Sequence, residues 1–270
     1  MASSRPRALV TGASSGIGTA YAVRLARDGH DLVLVARRRA RLAELAERLH
    51  REATIDAEVL AADLTDSAGL AQVEARVAGD ERLALLINNA GFGGYRPFAE
   101  IEPDVVDELV DIHIRAVARL TRAALPGMVR RGAGGVINVA SLLALSGSVP
   151  PDPLPCRAVY AGAKAFIVTF TEALAGELKG TGVRVQVCLP GLVETEFHTV
   201  AGRDPSKMPP MMKAADLAAA SLAGLARGEV TCVPALEDAA LLERLAEIQR
   251  TVLGAARTTT VARRYQSGTA

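Results

Sequence analysis

Short runs of apolar residues recur along the chain at 8–10, 31–36, 57–62, 83–88, 135–140, 183–189 and 230–233. They lack the apolar–polar alternation of a half-exposed strand, so each predicts a strand covered on both faces. Between them lie segments with helical spacing of apolar positions, clearest at 19–29, 40–53 and 104–125. Strand alternating with helix predicts a doubly wound α/β fold: a seven-stranded, mainly parallel sheet with helices on both faces. No repeat or low-complexity linker divides the pattern, and one domain over residues 1–270 is expected. Prolines interrupt it at 150–155 and 203–212. These mark loops, and the stretches 142–158 and 194–212 are the candidate substrate loops. The polar tail 257–270 is either flexible or folded over a neighbour.

Composition narrows the function classes. Half of the 270 residues are hydrophobic and the formal net charge is +1, unlike a disordered chain or a basic nucleic-acid binder. Cys156, Cys188 and Cys232 are odd in number and widely spaced, without the pattern of a zinc site or disulfide framework. A reducing compartment and no metal follow as expectations. The N-terminal apolar run is too short for a signal peptide, and no stretch approaches about 20 uninterrupted apolar residues. A cytoplasmic protein without a membrane or nucleic-acid partner is therefore expected.

The first strand runs into TGASSGIG, placing Gly12, Ser14, Ser15, Gly16, Ile17 and Gly18 at a strand-to-helix turn. Glycines there let backbone N–H groups approach a dinucleotide pyrophosphate, whose charge the helix N-terminus favours. At the end of the second strand, where a carboxylate would grip the ribose of NAD, the chain reads Val35-Ala36-Arg37-Arg38. The absent acid and the two arginines point to the 2′-phosphate of NADP(H), with Ser14 or Ser15 adding a hydroxyl. The alternative reading is that Arg37, Arg38, Arg39 and Arg41 form a solvated helix start. Arginines at a helix N-terminus oppose its dipole unless an anion is near, which favours the first reading.

Tyr160 and Lys164 are four residues apart, on one face of a helix beginning near Val159. A phenol with pKa about 10 is a poor acid–base group at pH 7, but a nearby lysine and a cationic nicotinamide would favour its phenolate. Their companions are Asn88-Asn89-Ala90-Gly91 after the fourth strand, Asn138-Val139-Ala140-Ser141 at the end of the fifth, and Pro190-Gly191 after the sixth. With Asp63-Leu64, this ordered set resembles the short-chain dehydrogenase/reductase family, of NADP-preferring type, from about Arg7 to at least Phe197. The resemblance implies a Rossmann-like fold and hydride transfer between nicotinamide and a carbonyl carbon. Tyr160 would exchange the proton and Ser141 would hydrogen-bond the oxygen. Lys164 would hold the nicotinamide ribose and lower the Tyr160 pKa. Asp63 and Leu64 would lie by the adenine, Asn89 would support the cofactor loop, and Val193 and Thr195 would meet the carboxamide.

The chain departs from the family in two places. Where the family usually carries an asparagine that holds a proton-relay water, this sequence has His113. Imidazole offers a donor and an acceptor for such a water, or His113 packs in the helix while a backbone carbonyl holds it. Ser141 and Tyr160 are also 19 positions apart, wider than is common in the family, and the extra residues fall around 148–157. That insertion, with Leu142, Leu143 and the 194–212 segment, is expected to shape the substrate pocket, and Cys156 to line its wall. The leading function is an NADP(H)-dependent interconversion of a moderately hydrophobic ketone and a secondary alcohol. A weakly active NADP-binding regulatory protein and a reductase of imines or activated double bonds are the alternatives. A homodimer or homotetramer is expected through apolar helix faces near His113 and Lys164.

Overall fold

The computed structural model describes residues 5–152, 154–200 and 204–266. They form two compact units, up to Pro234 and from Ala235 onward. In the first unit the strands are β1 (Arg7–Thr11), β2 (Asp31–Ala36), β3 (Ala57–Ala61), β4 (Leu83–Asn88), β5 (Gly134–Val139), β6 (Val183–Cys188), β7 (Val193–Glu194), β8 (Met212–Lys213) and β9 (Thr231–Cys232). Seven of them make one sheet in the order β3-β2-β1-β4-β5-β6-β9, with every pairing parallel. All seven apolar runs thus become strands of one sheet. β1 pairs with β2 on one side and β4 on the other, so the chain reverses its direction of travel across the sheet there. In open α/β sheets, ligands bind at such a switch point, beyond the C-terminal strand ends.

The helices are α1 (Gly16–Arg27), α2 (Arg39–Ala53), α3 (Ser67–Ala78), α4 (Pro103–Val110), α5 (Ala116–Arg131), α6 (Ala158–Glu177), α7 (Glu196–Val200), α8 (Ala214–Arg227) and, in the second unit, α9 (Ala240–Ala255). α1, α2 and α8 bury Tyr21, Leu25, Leu42, Leu49 and Leu217 against the strand residues Ala8, Val10, Leu32 and Leu34. On the opposite face, α3, α5 and the end of α6 bury Leu70, Val73, Leu120, Met128 and Leu174 against Leu9, Val33 and Val35. Alternate residues of each strand therefore enter different apolar layers, which is why the runs are unbroken. Each fully buried large side chain contributes about 1.5–3 kcal/mol. Polar cross-links lie inside these layers. Asn88 Nδ2 donates to Asn138 Oδ1 at 2.9 Å and to Thr121 Oγ1 at 3.1 Å, and Asn138 Nδ2 donates to Thr171 Oγ1 at 2.9 Å. Two asparagines of the sequence motifs thereby pin β4, β5, α5 and α6 together.

The helix expected over 104–125 is interrupted. Between α4 and α5 the five residues Asp111–Arg115 form a π-turn, and His113 sits at its centre. Within the expected 194–212 loop, β7 pairs with β8 in parallel and Glu196–Val200 forms the short α7. Residues 153 and 201–203 of the two expected loops lie outside the described residues. In the second unit no described residue is buried. Its tail carries a 3-10 turn at Arg263–Tyr265, and residues 267–270 lie outside the described residues.

Candidate active site

The turn between β1 and α1 requires its glycines. Gly12 has φ +67°, and a Cβ there would lie 2.8 Å from Asn89 Nδ2 and 2.9 Å from Ala90 Cα. At Gly18 a Cβ would lie 2.3 Å from the Gly12 carbonyl oxygen. Asn89 supplies the other wall. The Asn89 and Ala90 N–H groups donate to Thr11 Oγ1 at 2.9 and 3.0 Å, and Asn89 Nδ2 donates to the Thr11 carbonyl at 3.0 Å. These bonds tie the ends of the switch-point strands β1 and β4. Ser15 at the N-cap of α1 makes no side-chain capping bond, and the first turn carries no acidic residue. The open N–H groups and positive helix end of this cradle fit an anionic pyrophosphate.

The arginines expected to act together are separated. Arg38 donates through Nε and Nη2 to Ser14 Oγ at 3.2 and 3.1 Å, and through Nη2 to Ser15 Oγ at 2.8 Å. Arg37 turns away, with 70% of its side chain exposed, and pairs with Asp63 at 3.7 Å. Arg38 is thus the guanidinium joined to the glycine turn, while Arg37 and Asp63 form a rim beyond β3. Burial works against the Asp63 carboxylate, yet the Thr65 hydrogen bonds and the Arg37 charge hold its pKa below the ordinary carboxyl value. The adjacent Leu64 is buried in the apolar layer with Val33 and Val35.

Ser141, Tyr160, Lys164 and His113 converge at the C-terminal end of β5. Ser141 caps a 3-10 turn at Leu142–Leu145, accepting from the Leu143 N–H at 3.1 Å, and its hydroxyl is close enough to act on the Tyr160 phenol. Tyr160 is only 5% exposed on the first turns of α6. Burial pushes its phenol well above the ordinary value and the adjacent Tyr95 adds to this, while the Ser141 hydroxyl works in the opposite direction. Lys164 Nζ lies 5.6 Å from the Tyr160 ring centroid and donates to the Val139 carbonyl at 2.9 Å. Burial alone brings this ammonium down to about 7. The phenolate expected from the Tyr160–Lys164 spacing is therefore not favoured by the protein alone, and Tyr160 holds its proton.

His113 meets Tyr160 edge-on, with ring centroids 5.4 Å apart. Its Nε2 is 2.9 Å from the Phe92 carbonyl. A carbonyl only accepts, so Nε2 carries the hydrogen and Nδ1 keeps a lone pair. That Nδ1 is buried and without a partner. Burial first, and the Lys164 charge second, hold the imidazole pKa well below its ordinary value against the Phe92 carbonyl, so His113 stays neutral. The approach is close: a Cβ on Gly91 would lie 2.2 Å from His113 Cε1.

Pro190 is buried, and its carbonyl accepts from the Leu142 N–H at 2.9 Å, joining the proline–glycine corner to the serine turn. Gly191 leads on to Val193, which is buried, and Thr195, whose methyl faces Gly16. Three further residues belong here. Tyr95 stands edge-on to Tyr160 with centroids 5.3 Å apart, and Phe197 lies 6.3 Å from both rings. Arg157 is buried and donates to Ser146 Oγ at 2.7 Å and to the Ser146, Val149 and Pro155 carbonyls at 2.8, 2.7 and 2.9 Å. It ties the inserted loop to the start of α6. An aromatic residue in the glycine-rich GFGGY stretch was a signal for Tyr95, whereas nothing local marks Arg157. Cys156 is half-buried in this loop.

A family model for short-chain dehydrogenases matches residues 6–205. The very-long-chain 3-oxoacyl-CoA reductase-B of Danio rerio is 34% identical over 197 residues, which cover 72% of this chain and 61% of that protein. The chain thus spans less than two thirds of that relative. A solved short-chain dehydrogenase from Sphingobium yanoikuyae, in complex with NADPH, is 38% identical with a TM-score of 0.91, the match covering 96% of this chain and 100% of the other. A bulky-bulky ketone specific alcohol dehydrogenase from Comamonas testosteroni is 33% identical with a TM-score of 0.88, covering 97% and 99%. The glycine cradle, the serine–tyrosine–lysine cluster and a family match over most of the chain agree: this protein belongs to the short-chain dehydrogenase family of oxidoreductases.

Proposed function

We propose that this chain is an NADP(H)-dependent oxidoreductase that interconverts a moderately hydrophobic ketone and its secondary alcohol, with Tyr160 as the acid–base group. The observation that carries the reading is the convergence of Ser141, buried Tyr160 and buried Lys164 at the end of β5, with Lys164 Nζ 5.6 Å from the Tyr160 ring centroid and 2.9 Å from the Val139 carbonyl. Arg38 with Ser14 and Ser15 supports the phosphorylated cofactor, as does the NADPH complex of the Sphingobium relative. NADPH, when bound, supplies the hydride to the carbonyl carbon.

The protein's part is to place the substrate oxygen and supply a proton. The Ser141 hydroxyl hydrogen-bonds that oxygen, and Tyr160, held in its protonated form by burial, gives up its proton as negative charge develops there. Lys164 stabilises the phenolate that results, and its pKa of about 7 lets it pass a proton onward at neutral pH. The unpartnered Nδ1 of His113 would hold a relay water between this lysine and solvent, the task of the family's asparagine. Leu142, Leu145 and Val149, all exposed, with Tyr95 and Phe197, supply apolar walls suited to a bulky ketone. The Comamonas relative, specific for such ketones, supports this substrate class. The family habit and the exposed Val110 and Val129 near the π-turn and on α5 support a homo-oligomer.

NADPH oxidation is to be followed against a panel of ketones, imines and enones with wild type and Tyr160→Phe. We expect ketone-dependent turnover that falls by about 10²–10⁴-fold in the variant. Turnover confined to imines or enones, or none with any carbonyl despite tight NADPH binding, would replace the reading.

A further inference from the structure

The arginine cluster beside the glycine turn already carries an anion, supplied by the chain itself. Glu196, the first residue of α7, places its carboxylate oxygens 2.8 and 2.7 Å from Arg41 Nη1 and one of them 3.3 Å from Arg38 Nη1. Arg38 is thus shared, with Ser14 and Ser15 on one side and Glu196 on the other. The neighbours of Glu196 lie along the same wall. A Cβ on Gly16 would come within 2.9 Å of Thr195 Cγ2, and Phe197 packs near Tyr160.

We infer that Glu196 sets the strength of the NADP preference by competing with the cofactor's 2′-phosphate for Arg38 and Arg41. The inference rests on the reading that Arg38 receives that phosphate. A carboxylate and a phosphate seek the same planar N–H donors of a guanidinium, and a phosphate monoester brings up to roughly twice the charge. The Glu196 pair is half exposed, at 50% for the glutamate and 44% and 45% for the arginines. Such an ion pair is weak and exchangeable, so the incoming phosphate displaces it at a modest cost in affinity. NADH has no 2′-phosphate and leaves the ion pair undisturbed. Glu196 therefore acts against NADPH and not against NADH, narrowing the discrimination that Arg38 creates.

The test is equilibrium titration of NADPH and NADH by cofactor fluorescence, without substrate, on wild type, Glu196→Gln, Glu196→Asp and Arg38→Ala. Glu196→Gln should tighten NADPH by about threefold to fivefold, the range of an exposed ion pair, and change NADH less than twofold. Glu196→Asp, shorter but charged, should fall between. The gain should shrink as salt rises, because both pairs are screened. If Arg38→Ala weakens NADPH while Glu196→Gln leaves it unchanged or weaker, Glu196 is a clasp over the cofactor and the inference fails alone. If Arg38→Ala leaves NADPH unaffected, or wild type does not favour NADPH over NADH, the underlying assignment of Arg38 fails as well.

Discussion

At the residue scale, the relay role proposed for His113 rests on one nitrogen. Its Nε2–H is committed to the Phe92 carbonyl, which fixes the tautomer and leaves a lone pair on Nδ1 inside the site. An asparagine at this position would present an amide oxygen, also an acceptor, to the same space. His113→Asn should therefore keep kcat for ketone reduction within a few-fold or raise it; loss of most of kcat would show that the imidazole itself is needed. Tyr160 shows the opposite dependence. Its proposed role follows from spacing and companions, but the proton it carries does not, because that depends on burial and on Tyr95. Arg37 and Arg38 make the same point, since adjacent letters gave equal claims and only the backbone at the start of α2 decided which one meets Ser14.

At the scale of elements, the inserted loop is held by one buried cation. Arg157 makes four hydrogen bonds to the loop from the N-cap of α6, three residues before Tyr160. Replacement by alanine leaves three carbonyls and a hydroxyl without that donor set, a loss of roughly 2–4 kcal/mol if the loop stays closed. The loop should instead loosen. Arg157→Ala is expected to raise KM for bulky ketones by about tenfold, with NADPH affinity unchanged and faster proteolysis at the loop; unaltered KM and cleavage would count against the clamp. The strands were legible because two-sided burial writes unbroken apolar runs. The π-turn was not, since five residues of wider helix barely disturb helical periodicity. Phe197 and the Arg157 clamp escaped too, because contacts made by a loop depend on where the chain returns.

Across the whole molecule, a buried lysine ties stability to pH. Lys164 is 4% exposed, and burial lowers its pKa to about 7, against about 10.4 in the unfolded chain. Between these values the unfolded state binds a proton that the folded state does not, so stability rises with pH across that window. Below pH 7 the folded protein carries the full cost of a buried ammonium. Lys164→Met should accordingly raise the thermal midpoint more at pH 6 than at pH 10, by roughly 5 °C or more, even though it abolishes turnover. An equal shift at both pH values would mean that the lysine is not desolvated in solution.

The order in which the chain lays down its sheet has a consequence for inheritance. The glycine turn and Asn89 that form the cradle lie before residue 92, whereas the stretches 142–158 and 194–212, proposed to shape substrate range, come later. On that division alone, a crossover near Ser141 between two relatives would trade substrate range without touching the nucleotide. Glu196 breaks that partition, because it belongs to the later half but rests on Arg38 and Arg41 of the earlier one. A recombinant chain would take part of its nucleotide preference from the parent that supplied its substrate loops, so the two traits would not be free to evolve apart.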